Sequence, residues 1–249
     1  MNAKETVKSY VDGIVADLFA AEQAYAMLKQ IGQNANAINQ ANFGALFGPL
    51  QSVLSNACFL SVAKLFEKPS KNYPTRSIRS VLELLERSSD ELVIEQRIAV
   101  MRRLAHAGMN VESLAEMPDS RITSTIVQFY TASLPSTELA TRCWCEMSKS
   151  LHAVMTRRNK VVAHNEMIDR STLPHTSWVE IEQLILYAKR FIDVVGIGYI
   201  STGFADDDGH YFLTQDAKSA AHVLKKLLIN ACMFESVTPE RSDSAICGM

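Results

Sequence analysis

Arg157-Arg158-Asn159-Lys160-Val161-Val162-Ala163-His164 sits near the middle of the longest helical pattern in the chain, expected from Thr137 to Arg170. Met147 to Asn165 contains no Asp or Glu, while Lys149, Arg157, Arg158 and Lys160 crowd together. The wet face of an amphipathic helix usually mixes both signs of charge. In an α-helix, Arg157 and His164 fall about 20° apart around the axis and about 10 Å apart along it. Lys160 and His164, four apart, are neighbours on the same face. Leu151, Val154, Arg158 and Val161 step by three and four, so Arg158 interrupts an apolar stripe. A guanidinium does not lose its charge, and burying it alone is costly. It must meet a carboxylate, an anionic ligand or a water-filled cleft.

An Arg followed by a polar residue, with a His a few positions on and late in a helical bundle, resembles the HEPN superfamily (higher eukaryote and prokaryote nucleotide-binding). Arg158, Asn159 and His164 fit with five intervening residues, and Arg157 to His164 fits with six, so both registers stay open. The form RNKVVAH is similar to the abortive-infection branch. The resemblance implies an all-α, HEPN-like bundle, with additional short helices between the second core helix and the motif helix. It also implies a homodimer whose Arg and His meet across a cleft and cut RNA without a metal or other cofactor. Arg158, His164 and Asn159 would be the catalytic residues, and Arg157 and Lys160 would hold the RNA backbone. Other members bind a nucleotide, an RNA or a protein partner and cut nothing, so the alternative expectation is a binding module. In a toxin, a protein inhibitor or antitoxin would be a further partner. The branch silenced by nucleotidylation has Tyr two after the His. Glu166 stands there, so that control is not implied.

The expected chemistry is attack by the ribose 2′-hydroxyl on the adjacent phosphate, leaving a cyclic phosphate. A His, with an ordinary pKa of about 6.5, suits proton transfer near neutrality. A fixed guanidinium suits charge gathering on the phosphorus oxygens. One His per chain does not easily serve both proton transfers, which again points to a two-fold pair.

Composition agrees with a folded helical chain. Of 249 residues, 47% are hydrophobic and 21% charged, with only 10 Gly and 7 Pro. The net charge is −2, so affinity for nucleic acid has to come from a local patch. Five cysteines, without the spacing of a disulfide scaffold, suit a reducing, cytoplasmic setting. The start lacks the apolar run of a secretory signal. No run of 18 charge-free apolar residues is evident either, so no membrane partner is expected.

The first helix is expected over Ala3 to Ile31, on the seam Val7, Val11, Ile14, Leu18, Ala21, Tyr25 and Leu28. Gln33 to Asn42 reads as a loop. A second helix from Pro49 to Phe66 is apolar nearly all round and is expected at the centre of the core. Short helices follow over Thr75 to Arg87, from Ser88 to Gly108, around Val111 to Leu114, and over Ser120 to Ala132, where a strand is also compatible. Ser177-Trp178-Val179-Glu180 is a capping box that opens a seam through Ile181, Ile185, Ala188, Ile192, Val195 and Tyr199. The last helix is expected from Asp216 to Phe234. One domain, 1–235, with a flexible tail over 236–249, is the economical organisation.

Two other clusters are weaker. Cys143 and Cys145, beside His152, point to opposite faces of a helix and chelate poorly. Asp206-Asp207-Asp208 lacks the ligand ladder of a calcium loop, so no metal site is expected. Arg97, Arg102, Arg103 and His106 form a second acid-free run, read as a solvated face in preference to an RNA surface.

Overall fold

The computed structural model describes residues 2–70, 75–114, 116–136, 146–163, 172–206 and 208–234. Its helices are α1 (Ala3–Gln33), α2 (Ala35–Gln40), α3 (Gly44–Leu65), α4 (Ile78–Arg87), α5 (Arg97–His106), α6 (Asp119–Ser133), α7 (Glu146–Arg157), α8 (Trp178–Tyr199) and α9 (Phe212–Phe234). Among the described residues no strand forms, and the one β-bridge joins Ala205 to Tyr211. The described residues are all-α, as expected.

α1 is started by Asn2, whose side chain accepts from the Glu5 N–H at 2.8 Å while Glu5 accepts from the Asn2 N–H. Its seam is then buried: Val7, Val11, Ile14 and Leu18 are inaccessible to solvent. That stripe lets α1 touch α3, α4, α8 and α9. α8 opens with the expected capping box, Ser177 accepting from the Glu180 N–H at 3.3 Å and Glu180 from the Ser177 N–H at 2.6 Å. From Tyr187 to Tyr199 almost every α8 residue is buried. Hydroxyls tie it to α6: Tyr187 donates to the Tyr130 carbonyl at 2.8 Å, Tyr130 to the Arg190 carbonyl at 3.1 Å, and Tyr199 to Thr123 at 2.9 Å.

The centre of the bundle therefore belongs to α8, which corrects the expectation for α3. Only the C-terminal half of α3 enters the main core, through Cys58, Phe59, Val62, Ala63 and Leu65. Leu46 and Val53 are each 64% exposed. Hydropathy around a helix does not say which neighbours arrive to cover it. α3 also begins before Pro49, because Phe43, Phe47 and Leu50 pack on a second small core of Ile31, Ile38, Leu224 and Leu228. The segment expected as a loop after α1 contains α2, anchored in that core by buried Ile38. Among the described residues α3 is long and apolar enough, by length and composition, to cross a membrane, with mean hydropathy 1.3. Its run is charge-free up to Lys64 but is interrupted by Gln51, Ser52, Ser55, Asn56 and Ser61.

Residues 88–91 form a turn, and the next helix begins only at Arg97. Between them Leu92 and Ile94 are buried, and the Ile94 N–H donates to Asp119 at 3.0 Å. Gly108, at φ +92°, ends this unit in the left-handed region that favours glycine. Ser120 to Ala132 is helical, within α6. The tail over 236–249 lies outside the described residues.

Candidate active site

Leu151, Ala153 and Val154 bury one face of α7, and Ser148 and Ser150 are buried beside them. From Arg158 to Ala163 the helix widens into a π-helix. The hydrogen bonds then run i→i+5, so one turn takes up more residues than in an α-helix. The α-helical register expected from Arg157 therefore fails across Arg158–Ala163. π-segments are rare and are frequent at functional sites. This one coincides with Arg158-Asn159-Lys160-Val161-Val162-Ala163.

Arg158 continues the stripe of Leu151 and Val154, and its guanidinium meets Glu67 at 2.6 Å. Of the three surroundings its place in an apolar stripe allowed, a carboxylate is found, just beyond the end of α3. The pair is half-buried, with side chains 22% and 32% exposed. It borders a cavity of about 370 Å³ lined also by Lys68, Arg79, Met155 and Asn159. Three cationic side chains face one carboxylate there, so the cavity is suited to an anion. Glu67, Lys68 and Arg79 come from the α3–α4 region, far from the motif in sequence. Only the requirement for some partner was legible in advance.

Arg157 lies on the other side of α7. Its guanidinium sits 4.7 Å from the centre of the Phe59 ring. It lines a separate cavity of about 250 Å³ with Ser55, His175, Thr176 and Trp178. The two arginines do not converge on one site. Asn159 and Lys160 are exposed, and Asn159 borders the Arg158 cavity. His164 lies outside the described residues, as do Cys143 and Cys145. His175, which showed no usable spacing, is the histidine brought into a cavity with Arg157.

The second basic run divides. Arg103 is buried and paired with Asp193 at 2.8 Å, and it donates to the Ala205 carbonyl at 3.1 Å. Arg97 pairs with Asp119 at 3.0 Å and also donates to the Met117 carbonyl. These two hold the fold, while Arg102 and His106 are exposed. Burial lifts the Asp193 carboxyl above its ordinary range, and Arg103 with the Phe204 and Ala205 N–H groups pulls it back.

Asp206, Asp208 and His210 bring potential ligand atoms within 4.8 Å of one another, all solvent-accessible. Their hydrogen bonds close the loop. Asp206 accepts from the backbone N–H groups of His210 at 2.8 Å and Asp208 at 3.0 Å. The His210 bond foremost holds the Asp206 carboxyl below its usual range. Burial pushes the Cys58 thiol up to about 12, so it is an inert core group. Comparison of this chain with protein-family models, with curated proteins and with solved structures finds no match.

Proposed function

We propose that this chain is a metal-independent endoribonuclease of a defence or toxin type, acting at a cleft formed by two copies through Arg158 and His164. One observation carries the reading. The π-helical segment falls on the Arg158–Ala163 stretch and opens beside a cavity where Arg158, Arg79, Lys68 and Asn159 are assembled. In the proposed reaction the substrate's 2′-hydroxyl attacks the adjacent phosphorus, and the bond to the 5′-oxygen breaks. Arg158 stabilises the charge developing on the non-bridging oxygens. His164 transfers a proton, and its counterpart in the second copy serves the other transfer. A stable pair of this kind would bury on the order of 1,200 Å² or more in total.

The test is cleavage of labelled RNA by the intact chain in excess EDTA, beside His164→Ala and Arg158→Ala. Each variant is expected to lose about a hundredfold or more in rate. Products should end in 2′,3′-cyclic phosphate, and DNA should stay intact. Activity abolished by EDTA and restored by magnesium, or equal cutting by both variants, overturns the mechanism.

The Arg158–Glu67 ion pair favours a second reading, a module that binds a nucleotide, RNA or a protein partner without cutting. A guanidinium already held by its own chain is open to a ligand that competes with Glu67. Saturable binding that depends on Arg158, with no product from any RNA, selects that reading.

A further inference from the structure

A cavity of about 690 Å³ lies away from the motif, between α1, α8 and α9. That is within the usual range for a small-molecule site, about 300–1,000 Å³. It shares no lining residue with the Arg158 cavity. Its buried wall carries an ion pair, Lys189 with Glu22, both about nine-tenths buried. Thr214 ties the pair together, accepting from Lys189 at 2.6 Å and donating to Glu22 Oε1 at 3.2 Å.

Two acceptors on this wall are left over. Glu22 Oε2 and Gln30 Oε1 are buried and have no hydrogen-bond partner among the described residues. A buried carboxylate is tolerated when its oxygens are satisfied, and an idle acceptor is among the more expensive things a core can hold. Both residues line the same cavity. They are eight apart on α1, about 12 Å along its axis, so one ligand serving both is elongated.

The exposed rim has the opposite character. Lys29, Lys218 and Lys225 border the cavity and form no ion pair with any described residue. Lys218 and Lys225 are seven apart on α9 and share a face with His222 between them. The carboxylate on this side, Glu182, accepts from the Tyr25 hydroxyl at 3.2 Å. Cations at the mouth and idle acceptors at the wall call for a ligand with phosphate at its ends and hydroxyl donors between them. Among the described residues the Phe, Tyr or Trp ring in the lining is that of Tyr25, and it is already packed 6.0 Å from Trp178. That disfavours a flat aromatic ligand and favours a hydroxylated chain or ring. We propose that the α1–α8–α9 cavity is a binding site for a phosphorylated sugar or polyol, its phosphates on Lys29, Lys218 and Lys225 and its hydroxyls on Glu22 and Gln30.

The test is titration calorimetry on the intact chain with fructose 1,6-bisphosphate, fructose and inorganic pyrophosphate. The bisphosphate is expected to bind most tightly. The double variant Lys218→Ala/Lys225→Ala should weaken it by at least about tenfold, since loss of two charged contacts exceeds the energy of one decade. Gln30→Ala, which removes one idle acceptor from the cavity wall, should weaken the bisphosphate and leave pyrophosphate unchanged, which a role in folding alone would not do. No binding of the bisphosphate, or binding unaffected by the double lysine variant, overturns the proposal. So does pyrophosphate binding as tightly as the bisphosphate with Gln30→Ala silent. RNA cleavage by the double lysine variant should equal that of the parent, so this site and the Arg158 site stand or fall separately.

Discussion

Glu67→Gln is the change that tests most directly how Arg158 is held. The pair is 2.6 Å apart with side chains 22% and 32% exposed, between the surface and the interior. Exposed ion pairs are worth about 0.2–1 kcal/mol. Hydrogen bonds to charged groups reach about 1.5–3 kcal/mol when better shielded. A coupling of about 1 kcal/mol follows for this half-buried geometry. Glu67→Gln keeps the shape and removes the charge, and Arg158→Met keeps an unbranched side chain without the charge. Urea unfolding of the parent, both single variants and the double variant completes the cycle. The coupling should shrink in about 1 M salt, where the screening length is about 3 Å. The same exchange acts on ligand affinity. Releasing about 1 kcal/mol of intramolecular pairing should raise the affinity of Arg158 for labelled RNA about fivefold in Glu67→Gln. A coupling below about 0.3 kcal/mol, the scatter of independent sites, would refute the pairing. RNA affinity unchanged in Glu67→Gln would refute the claim that Glu67 and the ligand compete.

Asp193→Ala should cost about 3–5 kcal/mol in urea unfolding, because buried Arg103 loses its carboxylate while staying charged. Gly196→Ala should lower stability by about 1–3 kcal/mol or more in the same assay. A Cβ there would lie 2.5 Å from the Phe204 ring and 2.6 Å from the Thr202 carbonyl oxygen. The Ser177 N–H foremost holds the Glu180 carboxyl below its ordinary range. With the folded value below the unfolded one of about 4.3, that stabilisation is complete above it. It fades as pH falls through the folded value. Thermal melts of Glu180→Gln should therefore fall less steeply on acidification than those of the parent, and parallel curves would count against the linkage.

Local sequence determined which segments become helix wherever a short-range signal was complete. Asn2 with Glu5 and Ser177 with Glu180 start α1 and α8, because a capping box satisfies its own orphan N–H groups without help from elsewhere. The seam Val7–Val11–Ile14–Leu18 marked the buried face of α1, since that spacing puts all four on one side. The same reasoning showed that Arg158 had to meet a carboxylate, an anionic ligand or a water-filled cleft. Tertiary structure decided the rest. That the partner is Glu67, and that Arg79 and Lys68 stand beside it, depends on how α3 and α4 approach α7. Sequence spacing carries no distance between segments 91 residues apart. The separation of Arg157 onto Phe59 followed from the side each neighbouring helix occupies, and the π-widening at Arg158 from a register that no α-helical projection contains. The exposed half of α3 makes the same point from the other direction. Its hydrophobicity was plain in the residues, but burial belongs to a pair of surfaces, and only the fold supplies the second one.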